Sequence, residues 1–269
     1  VTRSLPRHIQ SGLVALSLGA AAANAACFAD IFGGADEPAT AEQTFAFDTD
    51  RAATVRVRLF GKSGDVTVSA AAGSDSIHIR AVLRVTAENV AQAAAGLSEL
   101  WVDVDQSTYE LVVQTAQPSS LDIRDYVVHY EIQVPSYMHV YVYNITGDIT
   151  ANNLGGDLFV QNGGGNITLN STFGAVSAQT GNGSIDAWAY LPLFASLELS
   201  TGNGDIDLAI PVETSAELLA TAANGTVTIA NLVVTDIFQT TNAISGQLRD
   251  GLSWIRLASG NGSVRLVGY

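Results

Sequence analysis

Two carboxylates, Asp186 and Asp207, occupy the same place in consecutive sequence repeats, which would stack them on one outer face. Paired acids are what glycan cleavage needs. On a β-helix, however, such acids work beside Arg or Lys along a groove, and from residue 144 onward the basic groups are only Arg249, Arg256 and Arg265. The pair therefore reads as two solvated acids. The histidines His8, His78, His129 and His139 lack metal-ligand spacing, and a single cysteine leaves no second thiol for zinc. Gly-x-Ser-x-Gly, P-loop and His-Glu-x-x-His patterns do not occur. The expectation is a chain with no catalytic residues, no cofactor and no metal site.

Two further groups could do something other than catalysis. His139, Tyr141 and Tyr143 alternate with Met138, Val140 and Val142, so one strand would hold the polar-aromatic set on a single face. Aligned aromatics grip sugars and peptides, which makes these three the ligand-binding candidates. Tyr126 and Tyr130 are expected on a nearby strand, and packing against a helix or neighbouring strand is the alternative role for the whole set. The second group is Cys27. It follows Arg3 and Arg7, an apolar run from Leu13 to Ala20, and the small residues Ala23-Asn24-Ala25-Ala26. That order predicts a secretory signal peptide over residues 1–26, too short to span a bilayer. Cys27 is then incidental, intermolecular or a lipid attachment site. Its small neighbours suit lipidation, whereas Asn24 stands where a large aliphatic is expected. Residues 27–43, with Gly33-Gly34 and Asp36-Glu37-Pro38, would form a flexible spacer.

The elements that must carry these residues are written in a repeat. Short alternating strands run into turns ending at Gly147, Gly165, Gly183, Gly204, Gly225, Gly246 and Gly262, mostly through Thr-Gly-Asn-Gly or a close variant. After each glycine come alternate apolar residues such as Ile167/Leu169, Ile185/Ala187 and Ile206/Leu208; before each turn come Val176/Ala178 and Leu197/Leu199. Spacing between glycines is 18 or 21 residues until the last unit, and inserts such as Tyr190-Leu191-Pro192 fall on one side only. A turn stacked on its copy cannot change length, whereas the opposite connection can bulge outward. This predicts an all-β parallel β-solenoid of about six coils over residues 144–269. An antiparallel sandwich of hairpins competes, because Asn-Gly between strands is also a hairpin signal. Residues 44–143 read as an N-terminal β layer that caps the first coil and contains one short helix. Thr86 is its expected cap and Val90, Ala94 and Leu97 its packed side. The fifth unit departs from the pattern with Asn242-Ala243-Ile244-Ser245 and an inward Asp250. Calcium in the turns is disfavoured, since calcium-binding nonapeptide turns need Asp where this chain has Ile167, Ile185 and Ile206.

Together Ile132-Gln133-Val134-Pro135, Gly64-Asp65-Val66, Gly147-Asp148-Ile149, Thr180-Gly181-Asn182-Gly183, Thr201-Gly202-Asn203-Gly204-Asp205-Ile206 and Ser259-Gly260-Asn261-Gly262 carry a resemblance over roughly residues 45 to 269. The chain resembles a bacterial β-strand-repeat family of unknown function that is provisionally labelled adhesin. The resemblance implies an exported, envelope-associated β protein and carries over no catalytic residue. Composition agrees with export: 26 acidic against 12 basic residues give a net charge of −14, and Lys62 is the single lysine. Such a surface repels nucleic acid. The expected function is a non-enzymatic cell-envelope scaffold or binding module, periplasmic or on the outer surface and anchored through Cys27 if that residue is acylated. Its expected partner is an envelope protein or polysaccharide; a glycan-active lyase or hydrolase on a β-helix is the alternative.

Overall fold

The computed structural model describes residues 38–50, 54–71, 73–118 and 124–269; the expected signal peptide and Cys27 lie outside them. The described chain is all-β with one helix. In chain order it runs β1 (Ala39–Asp50), β2 (Arg56–Phe60), β3 (Val66–Ala71), β4 (Ser76–Ala87), α1 (Val90–Leu97), β5 (Trp101–Gln106), β6 (Glu110–Ala116), β7 (Asp125–Pro135), β8 (His139–Thr146), β9 (Ile149–Asn152) and β10 (Leu158–Gly164). It continues with β11 (Ile167–Phe173), β12 (Val176–Asn182), β13 (Ile185–Tyr190), β14 (Ser196–Asn203), β15 (Ile206–Ile210), β16 (Ala216–Asn224), β17 (Val227–Ala230), β18 (Val234–Gln239), β19 (Ala243–Leu248), β20 (Ser253–Asn261) and β21 (Val264–Gly268).

These strands form two open, mixed sheets. The ten-stranded sheet is ordered β1-β4-β7-β3-β9-β11-β13-β15-β21-β17, and the eleven-stranded sheet β18-β19-β16-β20-β14-β12-β10-β8-β2-β6-β5. Most neighbours are parallel. Ile167 faces Ile149 and Ile185, while Val176 faces Leu158 and Leu197. The alternate apolar residues that the repeat marks as inward are buried from both sheets in one hydrophobic cluster running from Val57 to Leu266. Antiparallel strands close the ends: β1 and β4 on β7, β5 on β6, and β18 and β19 on β16.

Side-chain ladders show how successive strand pairs are held. The residue after each turn glycine, and His129 after Val128 in the first pair of the ladder, accepts a hydrogen bond from the backbone N–H at the same place in the next pair. The chain of acceptors is His129, Asp65, Asp148, Asn166, Ser184, Asp205 and Ser263, ending at the N–H of Thr226. This is why the glycine is followed by Asp, Asn or Ser. A second ladder links the amides of Asn182, Asn203, Asn261 and Asn224. The glycines themselves touch: a Cβ on Gly183 would overlap the carbonyl oxygen of Gly165, and Gly183 also holds φ at +146°. Only glycine meets both demands.

The ladders also expose an order that the chain does not follow. β20–β21 is last in sequence, yet it lies between β14–β15 and β16–β17. At the other end β2–β3, first in sequence, lies between β6–β7 and β8–β9.

Several expectations need correction. Gly246 ends no coil. It sits within β19, a strand antiparallel to β16, because the chain turns back after β17 into the hairpin β18–β19. Asp250 is exposed in the turn after that hairpin, so it faces water. Residues 39–43 of the expected spacer belong to β1, where Ala41 pairs with Val85 and is buried. Thr86 pairs within β4; the helix is capped by Asn89, whose side chain accepts from the N–H of Gln92 at 2.9 Å. Its packed side is Ala93, Gly96 and Leu97, with Val90 exposed. Pairing of β4 with β1 and β7 holds Thr86 in the sheet, which moves the helix start three residues on to Asn89. Among the described residues no helix is long and apolar enough to cross a membrane.

Candidate functional site

β8 holds its burial alternation as expected: Met138, Val140 and Val142 are buried and His139, Tyr141 and Tyr143 face outward. Pair register then adds neighbours that no local sequence shows. β2 sets Arg56, Arg58 and Phe60 beside His139, Tyr141 and Tyr143, and β10 sets Phe159 beside Tyr141. Phe60 stacks on Tyr143 at 5.0 Å and 12°, and Phe159 lies 6.1 Å from Tyr141 and 5.4 Å from Tyr143. Both guanidiniums lie over the Tyr141 ring, at 5.1 and 5.8 Å. Glu110 is 2.9 Å from Arg58 and 3.7 Å from Arg56, so one carboxylate serves two cations.

His139 stands at the edge of this stripe. Its Nδ1 accepts the N–H of Asp157 at 3.1 Å and lies 3.3 Å from the Asp157 carboxylate. Tyr126 and Tyr130 do not join the stripe. They lie on β7 in the other sheet and point inward. Tyr130 shares a 2.7 Å hydrogen bond with Thr115, and burial pushes its hydroxyl pKa up to about 12 despite that bond.

Stacking decides what the stripe can do. Guanidiniums and Phe159 cover the faces of Tyr141, and Phe60 and Phe159 flank Tyr143. What remains toward solvent is ring edges and the exposed part of the two guanidiniums, whose Nε groups are themselves buried without a partner. Beside Phe60 and Tyr143 a shallow depression of about 370 Å³ continues over Ile145, Gln161 and Gly163.

A second aromatic cluster was missed in the sequence reading. It lies on the outer face of the ten-stranded sheet, where Phe173 ends β11 and Trp188 and Tyr190 alternate along β13. Phe173 stacks on Tyr190 at 5.0 Å and 22°, and Trp188 meets Tyr269 at 5.6 Å and 45°. The spacing Trp188-Ala189-Tyr190, with Ala187 and Ala189 buried, was the available signal. Asp186 and Asp207 are register neighbours on the same face, with Arg265 3.8 Å from Asp207.

No family model matches the sequence, and no curated protein matches it. Among solved structures the chain is similar to a provisionally named cell adhesion protein from Clostridium sporogenes. The identity is 10% over 86% of this chain and 100% of that one, with a TM-score of 0.49. It is also similar to a provisionally named adhesin from Bacteroides fragilis, at 12% identity over 84% of this chain and 97% of that one, TM-score 0.39. A provisionally named lipid binding protein from Parabacteroides distasonis follows at 8% identity, 82% and 96% coverage and TM-score 0.22.

Proposed function

We propose that this chain is an exported, non-enzymatic protein of the cell envelope, a parallel β-solenoid scaffold that holds another envelope protein on the stripe around His139, Tyr141 and Tyr143. The observation that carries the reading is the arginine-aromatic stack of Arg56, Arg58, Phe60, Tyr141, Tyr143 and Phe159 across three parallel strands. Arg and Tyr dominate the energetic centres of protein interfaces. Rings whose faces are already covered are poor platforms for a sugar, but their edges and the spare guanidinium donors suit a flat, polar protein surface. Support for the solenoid comes from the parallel registers at 18 or 21 residues and from the turn ladders.

Export rests on the segment with Arg3, Arg7 and Leu13 to Ala20, and on the acidic surface, which also argues against nucleic acid as a partner. Cys27 is the site at which such a protein would be anchored if acylated. Intact-mass measurement of the mature N-terminus tests this: an acylated Cys27 start supports the anchor, and a free thiol removes it. For the interface, a photo-crosslinking residue is placed at Tyr143 or Gln161 in cells, and a control at Thr150 on the other sheet. A discrete adduct formed only from the stripe, and lost with Arg58→Glu, is expected. Equal labelling from both faces, or none from the stripe, overturns the reading.

A further inference from the structure

We infer that the protein partner held on the stripe presents an acidic side chain, Asp or Glu, to Arg56 and Arg58; the inference rests on the reading above and adds the chemistry of the contact. Of the 12 basic residues, all but Arg3, Arg7 and Arg51 lie in the described chain, which leaves nine. Five of these each meet a carboxylate of their own: Arg80 with Glu131, Arg84 with Glu42, Arg124 with Glu99, Arg256 with Glu198 and Arg265 with Asp207. Arg249 is exposed in the turn after β19. The other three, Arg56, Arg58 and Lys62, fall within seven residues on and just after β2. Only Glu110 brings a carboxylate into contact with them, 3.7 Å from Arg56 and 2.9 Å from Arg58. A chain of net charge −14 thus holds a local excess of cation in the middle of its aromatic stripe.

The guanidiniums are fixed before any partner arrives. Both lie over the Tyr141 ring, at 5.1 and 5.8 Å, and a planar fork already held on a ring loses little freedom on binding. Their charge network is also incomplete. Oε1 of Glu110 is buried and accepts no well-directed hydrogen bond although both cations are near, and Nε of each arginine is buried without a partner. One carboxylate cannot satisfy two forks of five donors each, and a half-satisfied polar cluster is costly until something completes it. The arginine side chains remain 42% and 31% exposed, so their outer nitrogens can be reached. A carboxylate laid across such a fork takes two parallel charge-assisted bonds. Lys62 extends the line: its carbonyl accepts from the N–H groups of Ile145 and Thr146, which sets it beside the depression at the far end of the stripe.

Neighbouring acids decide the direction of approach. Asp103 and Asp105 on β5 stand in register with Gln114 and Val112 of β6, two strands from Phe60 and Arg58. At the usual strand spacing that is roughly 10 Å, about one Debye length. They repel an acid arriving over β5 without neutralising the guanidiniums. Asp157 lies 3.3 Å from His139. Over β8 and β10 the way is open, because Tyr141, Tyr143, Phe159 and Gln161 bring no carboxylate. Attraction confined to one spot of a repulsive surface fixes orientation as well as affinity.

The test is fluorescence anisotropy of the full mature chain with two labelled peptides, one of alternating Glu and Ser and its counterpart with Gln for Glu. Saturable binding of the Glu peptide is expected, at least tenfold tighter than the Gln peptide at low salt and less so at high salt. Arg58→Gln should weaken it about tenfold, with Arg58→Lys intermediate because the charge stays and the fork goes. Glu110→Gln should tighten it a few-fold by removing the competing carboxylate, which a merely structural role of Glu110 would not give. Arg80→Gln on the other sheet should leave it unchanged. No binding of the Glu peptide, equal binding of the Gln peptide, or binding indifferent to Arg56→Gln and Arg58→Gln in folded variants overturns the acidic contact. A galacturonate oligomer that binds as tightly as the Glu peptide overturns a protein as the source of the carboxylate. An adduct that forms at Tyr143 while the Glu peptide fails to bind leaves the interface standing and removes the acid. A Glu peptide that binds while the stripe gives no adduct removes the interface itself.

Discussion

At the scale of single residues, the interior turns on buried polar groups placed one per strand pair. Asn144, Asn162, Thr180, Thr201 and Ser259 each donate to the carbonyl of a glycine in a neighbouring turn. Thr and Ser do this with one hydroxyl. Asn162 does it with its Nδ2 and leaves its buried Oδ1 without a partner. Asn162→Thr should therefore be neutral or stabilise by about 1 kcal/mol, because the orphan acceptor goes and a β-branched residue enters a strand. A loss of more than that on denaturant unfolding would mean that Oδ1 is satisfied. Tyr130 makes a second residue-scale prediction. Its folded pKa is raised to about 12 from 10.0, so the native state keeps a proton that the unfolded chain has already lost. Its contribution is intact below pH 10 and is lost as pH rises from 10 to 12, by about 3 kcal/mol in total. Tyr130→Phe should flatten that part of the pH profile; an unchanged slope would assign the alkaline loss elsewhere.

At the scale of elements, the two kinds of connection are unequal. The glycine turns are locked by stacked carbonyls, the polar ladder and the asparagine ladder, all in register with their neighbours. One alanine inserted between Asn182 and Gly183 breaks all three at once and should cost about 3 kcal/mol or more. The same insertion between Leu193 and Phe194, both exposed, extends a connection that already varies in length and should cost under about 1 kcal/mol. Chemical denaturation of the two variants decides it. Similar losses would show that the glycine turns are not the fixed side. The misplaced helix cap belongs to this scale too: Asn89 and Thr86 both suit an N-cap, and only the pairing of β4 with β1 and β7 withholds Thr86.

At the scale of the molecule, the placement of β20–β21 between β14–β15 and β16–β17 makes the C-terminal half one cooperative unit. Ile255 and Leu257 pack beside Leu197 and Leu199 on one side and Leu218 and Ala220 on the other. Strands β14 and β16 are therefore joined only through β20, the last long strand to be made, a non-local closure of the kind that slows folding. Leu257→Ala should speed amide exchange in β14, β16 and β20 together, since all three open by the same event. Exchange confined to β20, with β16 unaffected, would show that the outer pair holds by itself.

The sequence alone determined the strands, their inward faces and the turns, because those follow from local patterns. Ile167/Leu169 and Leu197/Leu199 can be buried only on one face of a strand, and a positive-φ glycine such as Gly183 announces itself. Gly246 misled because Asn-Ala-Ile-Ser-Gly resembles a turn locally, and nothing local says that the chain has reversed. Tertiary structure decided the order of the strand pairs. Ile255/Leu257 and Leu218/Ala220 are equally good partners for Leu197/Leu199, so apolar alternation cannot choose between them. It also decided the composition of the aromatic clusters. His139, Tyr141 and Tyr143 were legible as one strand face, but Phe60, Arg58 and Phe159 join them only through register. Phe173, Trp188 and Tyr269 come from β11, β13 and the residue after β21, separated in sequence and united because parallel stacking repeats the same surface position from one strand to the next.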